Sequence, residues 1–251
     1  MKSLLKFPLL VAVATMMTCS FSACSDNDDP TPDTGTSETD AKFEAIAKQY
    51  LDHTVYVTYK NLADETEQLV KDLQALKSSK TDANVKATCE TFLEARAWWE
   101  KSEAFLYGAA TDFGIDPHID SWPLDLDGLQ TALKNTEQVE AMGGEDGDIY
   151  AGEKLGNSLL GFHGIEYILF EDGSPKSVSK ISDLHLTYAV AVAGDLRNRC
   201  WQLELSWRGE SAVNADRVAK VANELELPYT VNSGEYSYGE NMLNADRKSV
   251  V

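Results

Sequence analysis

The sequence is poor in cysteine and in basic residues, and strand-like patterns are missing from it. It has 4 cysteines in 251 residues, and 22 lysines and arginines against 41 acids, which gives a formal net charge of −19. This charge argues against nucleic-acid and anionic membrane partners, and it favours attraction of cations. No two cysteines have zinc-finger spacing. Because no segment alternates apolar and polar residues, the sequence predicts an all-α protein.

The first 23 residues have the composition of an export signal. Two lysines precede a short apolar core at residues 7–17, which is too short to span a bilayer as a helix. Small residues then precede Cys24, so we expect processing as a lipoprotein with the lipid on the Cys24 thiol; cleavage near Ala23 without a lipid is the alternative. Residues 24–40 predict an acidic tether, rich in Pro and Thr, that is too polar to fold.

The acidic run at residues 25–29 resembles the surface-export tag of Bacteroidetes lipoproteins. The expected location is therefore the cell envelope, as an outer-membrane lipoprotein exposed at the surface. The lipid would be the only contact with the membrane. Once the signal is removed, Cys89 and Cys200 remain, and both lie in amphipathic patterns that favour buried free thiols over a disulfide.

Long helices are predicted because neither glycine nor proline occurs between Thr36 and Tyr107. Apolar residues recur at three- and four-residue steps over residues 40–76, and again after Asp82, the predicted N-cap of the next helix. Further helices are predicted at residues 127–142, 155–170, 182–207 and 214–225, and loops at residues 111–125 and 143–152. The pattern predicts an up-and-down bundle of long helices.

The apolar stripe of the second helix includes two charged residues. Arg96 and Glu103 are predicted to lie on its core-facing side, flanking Trp99. Buried charges persist only when they are paired, hydrogen-bonded or bound to a metal. The alternatives are an ion pair across the bundle, side chains that reach solvent, or a functional site.

The segment Gly161-Phe162-His163-Gly164-Ile165-Glu166 lies in an apolar run that predicts a buried helix. A three-residue spacing puts the imidazole of His163 and the carboxylate of Glu166 on one helix face. Such a pair can bind one divalent metal ion, or one group can orient the other for proton transfer. A surface pair or a core histidine is the alternative. Gly161 and Gly164 each cost a helix about 1 kcal/mol, which the close approach of another element or a ligand would offset.

Three separated segments resemble the imelysin-like proteins, bacterial envelope proteins catalogued as M75 peptidases and linked to iron uptake. They are residues 97–108, the run Trp122-Pro123-Leu124-Asp125, and Gly161-x-His163-x-x-Glu166. The resemblance extends from about residue 42 to the end of the chain. It implies two packed helical bundles with the Gly-x-His-x-x-Glu segment near the cleft between them.

Family members usually continue well beyond this length, so we expect a first bundle at residues 41–175 and an incomplete second bundle at residues 181–251. A truncated or interrupted reading frame would explain this. The tail at residues 244–251, which has no helix pattern of its own, favours this explanation. Its expected consequence is an exposed apolar stripe on the fifth helix.

The resemblance also implies the residues of the site. The implied metal ligands are His163, Glu166, Glu103 and Asp125. The residues implied to line the cleft are Arg96, Trp99 and Trp122.

Three functions follow from these residues. The first is binding of a divalent metal ion, iron or zinc, for cation acquisition, with envelope transport or uptake partners. The second is a metallopeptidase with Glu166 as the catalytic residue. That function needs about three protein ligands, so His118 or His185 would have to fold close to His163. The third is a module that binds a polymer or small anion without a metal, through Trp99, Trp122 and Arg96.

Overall fold

Helices make up most of the chain from Glu38 to Lys248, the residues that a computed structural model describes, with side chains to Asn244. In chain order they are α1 (Glu38–Tyr50), α2 (Tyr56–Ser78), α3 (Asp82–Ser102), α4 (Ala109–Asp112), α5 (Ile115–Ile119), α6 (Leu126–Lys134), α7 (Thr136–Ala141), α8 (Gly147–Lys154), α9 (Gly161–Leu169), α10 (Asp183–Arg208), α11 (Ala215–Glu224) and α12 (Tyr238–Lys248). The all-α bundle is confirmed. The predicted signal peptide, Cys24 and most of the predicted tether lie outside the described residues.

Most connections between helices are short, and four of those described contain a single 3₁₀ turn; the longest are at residues 170–182 and 225–237. A π-helical turn at Leu51–Val55 joins α1 to α2 without a break, so the first predicted helix is confirmed with one irregularity. A small antiparallel hairpin follows α9 and consists of β1 (Phe170–Glu171) and β2 (Ser174–Pro175). Single 3₁₀ turns lie at Glu103–Phe105, Asn157–Leu159, Val178–Lys180 and Glu210–Ala212.

The centre of the bundle is α10, which begins as predicted at the N-cap Ser182. The Ser182 side chain accepts a hydrogen bond from the His185 amide, and the His185 ring accepts one from the Ser182 amide. Helices α2, α8 and α9 pack against different sides of α10 and bury it almost all round. The prediction of an exposed stripe on this helix was therefore wrong, because Leu196, Leu203 and Trp207 are at most 1% exposed. The boundary between two bundles near residues 175–181 stays a prediction.

Three segments predicted as irregular contain helix, and the first of them is the supposed loop at residues 111–125, which contains α5 (Ile115–Ile119). The supposed loop at residues 143–152 contains α8, because Gly147 fits directly against the Met142 carbonyl and Ala151 is buried against the core. Asp148 on α8 accepts a hydrogen bond from Arg197 at 2.8 Å, so this acid anchors α8 to α10. At the chain's end, α12 continues through residues 244–248, where no helix was expected.

Other predictions hold with adjusted boundaries. Residues 127–142 form two helices, because the Asn135 side chain accepts a hydrogen bond from the Gln138 amide and starts α7. Cys89 and Cys200 are buried free thiols, as expected. Burial raises the pKa of Cys89 to about 12 and also raises that of Cys200. Within residues 38–248, no helix is both long and apolar enough to cross a membrane.

Candidate functional site

The site is organised around Asp120, a residue that the sequence did not single out. Asp120 directly follows α5, and its carboxylate meets side chains from two other helices. One oxygen, Oδ1, lies 3.2 Å from His163 Nε2 and also pairs with the Arg96 guanidinium. The other, Oδ2, accepts a hydrogen bond from Trp99 Nε1 at 2.7 Å. Asp120 therefore ties the start of α9 to the C-terminal third of α3.

Arg96 supplies the positive charge that makes a partly buried carboxylate tolerable here. Its guanidinium pairs with Asp120 and, at 2.6 Å, with Glu100, and it lies 5.2 Å from the centre of the Phe162 ring. Burial on its own would lower the pKa of Arg96, but the hydrogen bond and charge of Asp120 and the charge of Glu100 raise it. Among the three alternatives for this charge, the structure shows an ion pair, with Asp120.

The imidazole of His163 lies between two carboxylates. Its Nε2 faces Asp120, and its Nδ1 lies 3.1 Å from Glu166 Oε2. Asp120 and Glu166 can both only accept, so a neutral ring donates its proton to one of them; with the proton on Nε2, towards Asp120, the Nδ1 lone pair would be free for a metal ion. The Trp122 ring packs on His163 with the ring centres 4.8 Å apart. The His163 side chain is 17% exposed and that of Glu166 is 52% exposed, so the pair opens to solvent on the Glu166 side.

The two glycines of the motif allow α9 to approach its neighbours closely, as the sequence predicted. Gly161 has a φ of +63°, and a Cβ there would lie 1.9 Å from the Ile119 carbonyl oxygen. A Cβ on Gly164 would lie 2.7 Å from the carbonyl oxygen of Leu159. Because Ile119 directly precedes Asp120, the contact at Gly161 sets the separation of Asp120 and His163.

A groove of about 400 Å³ opens over this cluster. Its walls are mainly aromatic and aliphatic, and its charged lining residues are acidic. They come from α3, α9, the Trp122 loop and the hairpin turn, and they are Phe92, Leu93, Trp122, Leu124, His163, Glu166, Tyr167, Phe170, Glu171, Asp172 and Gly173. Trp122, which was predicted to line a cleft, is one of these residues and is 73% exposed.

Other predicted site residues have different places. Glu103 is exposed, because α3 ends at Ser102 and the following 3₁₀ turn carries Glu103 off the buried stripe. Burial, followed by the nearby charge of Asp116, raises the pKa of Glu103. Asp125 accepts a hydrogen bond from the Gly128 amide at 2.9 Å and is the N-cap of α6. Trp99 is fully buried and lies behind the groove rather than in its wall.

The four predicted metal ligands are not brought together as one set. Among the described residues, no group of three or more His, Cys, Asp or Glu side chains is placed to hold a metal ion. His118 pairs with Asp195 at 2.8 Å and His185 caps α10, so neither supplements His163. What the structure does assemble is His163 with one carboxylate on each ring nitrogen.

Fold and site define an all-α protein with an acidic, aromatic-lined groove above a histidine held between two carboxylates. The imelysin family, peptidase M75, matches residues 55–243, and the chain belongs to this family. Over 163 residues the chain is 31% identical to iron-regulated protein A of Synechococcus elongatus. This alignment covers 64% of the present chain and 40% of that protein.

Two solved structures share the fold. A protein from Parabacteroides distasonis, described as an iron-regulated protein A precursor, superimposes with a TM-score of 0.64 at 25% identity, over 86% of this chain and 53% of its own. An imelysin-like protein from Psychrobacter arcticum gives a TM-score of 0.55 at 13% identity, and the superposition covers 86% of this chain and 61% of that protein. The chain thus spans between about two fifths and three fifths of the length of these relatives.

Proposed function

We propose that the protein binds a divalent metal ion, iron or zinc, at His163 and Glu166, in the service of metal acquisition. The observation that carries this proposal is the pairing of His163 Nδ1 with Glu166 Oε2, 3.1 Å apart at the open side of the site. The names of two relatives, both iron-regulated proteins, support the choice of iron.

The two donors fit a metal ion as neighbouring ligands. Metal–nitrogen and metal–oxygen bonds of about 2.1 Å bring two adjacent ligand atoms to about 3 Å from each other. Asp120 on the opposite ring nitrogen is the carboxylate partner that fixes the tautomer of a ligating histidine and raises its basicity. Asp120 cannot bind the same ion, because the two ring nitrogens point in different directions.

Two protein ligands leave half or more of the coordination positions to other groups. Water molecules or donor atoms of a bound chelator would fill them, and the groove beside Glu166 has room for such a molecule. A metal held in this way would act as a bridge between the protein and a ligand. The acidic surface, with a net charge of −19, would raise the local concentration of cations.

The metallopeptidase alternative has weaker support. Catalytic zinc sites use three protein ligands and a general base. In the described residues, Glu166 would have to serve both as ligand and as base, with His163 as the only histidine nearby. No specific observation favours the third alternative, a module for a polymer or small anion: Arg96 is already paired with Asp120 and Glu100, and Trp99 is buried.

Calorimetric titration of chelator-treated protein tests the proposal, with Zn²⁺ and, without oxygen, with Fe²⁺. We expect one site that His163→Ala abolishes and that Asp120→Asn weakens by about 10- to 100-fold, the usual cost of losing such a supporting carboxylate. The exposed His53 provides the control, because His53→Ala should bind like the parent. Equal affinity in the parent and in His163→Ala would refute the site.

We also propose that the protein is an envelope lipoprotein anchored through Cys24. The signal pattern before Cys24 supports this proposal. Labelling of cells with a radioactive fatty acid should mark the parent and leave Cys24→Ser unmarked. An unlabelled parent would favour cleavage near Ala23 without a lipid.

A further inference from the structure

We infer that the groove beside His163 is a binding site for an organic cation that carries an apolar or aromatic group. This inference goes beyond the proposed metal site and does not depend on it. It rests on the groove's shape, on its exposed apolar walls and on the sign of the charges that line it.

The apolar walls expose large side chains to solvent. Trp122 is 73% exposed and Leu93 is 55% exposed, and both line the groove. Phe170 and Tyr167 add two half-buried rings, and Phe92 packs behind Phe170 with ring centres 5.4 Å apart. Exposed apolar side chains grouped in a concave site are typical of ligand-binding surfaces.

The charges in the groove have one sign. Its charged lining residues are Glu166, Glu171 and Asp172, and neither lysine nor arginine is among the described residues that line it. Lys180 pairs with Glu171, and Glu166 lies 3.1 Å from His163 but is 52% exposed, so the exposed carboxylates of Glu166 and Asp172 can still face a ligand. Aromatic rings with nearby carboxylates favour cations, because ring faces attract positive charge and a low-polarity wall strengthens the attraction.

The protein already shows this interaction at the edge of the same groove. The ammonium of Lys176 lies 4.7 Å from the centre of the Tyr167 ring and donates a hydrogen bond to the Tyr167 carbonyl. A bound ammonium or guanidinium group with an attached hydrocarbon would make the same kind of contact with Trp122 and Phe170. A carboxylate or phosphate ligand would instead face the three carboxylates that line the groove.

Ligand-observed NMR titration of chelator-treated protein tests the inference, with benzyltrimethylammonium as the probe. The neutral benzyl alcohol and the anionic phenylacetate have the same ring and serve as comparison ligands. We expect saturable binding of the cation, weaker binding of the alcohol and none of the anion. Trp122→Ala should weaken cation binding about fivefold, which corresponds to a cation–π contribution of about 1 kcal/mol.

Two further variants sharpen the test. Asp172→Asn should weaken binding about twofold at low salt and less at high salt, because this carboxylate is exposed and screened. Asparagine keeps the positive φ of +52° that Asp172 has in the hairpin turn. Tyr236→Ala, which removes a ring that is 49% exposed and outside the groove, should bind the probe like the parent.

The inference is overturned if the anion or the alcohol binds as tightly as the cation, or if Trp122→Ala and Tyr236→Ala behave alike. Binding that requires added Zn²⁺ would also overturn it. If both proposals hold, Zn²⁺ at Glu166 should weaken cation binding through repulsion. Cation binding that is indifferent to Zn²⁺ would support the groove as a cation site and count against the metal site.

Discussion

Replacement of Asp120 by alanine is the change that should most disturb the site and the fold around it. The variant leaves Trp99 Nε1, on a fully buried ring, without its acceptor, and it leaves Arg96 with Glu100 as its one ion-pair partner within residues 38–244. An unsatisfied buried donor costs about 1–3 kcal/mol. The Arg96 side chain is 25% exposed, so its lost ion pair adds about 1 kcal/mol or less after screening.

We therefore expect Asp120→Ala to lower the free energy of unfolding by about 1–4 kcal/mol, out of the 5–15 kcal/mol that is usual for a domain. Asp120→Asn keeps an oxygen that can accept from Trp99, so its loss should be about 1–2 kcal/mol. Urea unfolding followed by circular dichroism measures both values, with the slope against urea as a check that only stability has changed.

The neighbouring Asp116 provides the control. Burial, followed by the charge of Asp120, raises the pKa of Asp116, so the ionised form of Asp116 is disfavoured in the folded state. Asp116→Asn should therefore leave stability at pH 7 unchanged or slightly higher. The reasoning fails if Asp120→Ala loses less than about 0.5 kcal/mol, the size of an ordinary surface substitution, or if the alanine and asparagine variants lose equal amounts.

Three further predictions concern other parts of the bundle. Gly161→Ala should lower the free energy of unfolding in urea by about 2 kcal/mol or more, because φ is +63° and the added Cβ meets a carbonyl oxygen. Gly156→Ala, with open space around the added Cβ, should lower it by less than about 1 kcal/mol. Similar losses in the two variants would contradict the close approach at Gly161. Burial raises the pKa of Asp64, but hydrogen bonds from Lys60 and Arg217 outweigh burial and lower this pKa below its usual 3.8. The ionised Asp64 therefore stabilises the folded state at pH values above the pKa of the unfolded chain, and this stabilisation is lost as the pH falls through the pKa of the folded state. Arg217→Gln should accordingly be more destabilising at pH 7 than at pH 3 in thermal melts, and an equal loss at both would refute this ion pair's role. Cys89, with its pKa raised to about 12 by burial, should not react with a thiol reagent at pH 8 until the protein unfolds, and rapid labelling of the native state would contradict its burial.

Periodicity was enough to predict the longest helices. The three- and four-residue steps in α2, α3 and α10 record directly which faces are buried, and Ser182 marks the start of α10 because its side chain bonds locally. Local patterns failed where tertiary contacts decide. Gly147 reads as a loop residue, and only its fit against Met142 permits α8.

One half of the candidate site, the His163–Glu166 pair, could be predicted from the sequence. His163 and Glu166 share a helix, so their spacing fixed their pairing before any fold was known. Asp120 reaches His163 from another element, and nothing local separates it from the other acids of the Asp-rich segment at residues 111–125. Glu103 was misplaced because the stripe of α3 was extended past Ser102, where the 3₁₀ turn changes the angle between successive side chains.

The most direct test of the central claim is anomalous diffraction from crystals of the protein soaked in Zn²⁺. The account predicts a peak within bonding distance of His163 Nδ1 and a Glu166 carboxylate oxygen, with Asp120 still on Nε2. A zinc peak bound elsewhere, with His163 and Glu166 still hydrogen-bonded to each other, would contradict it.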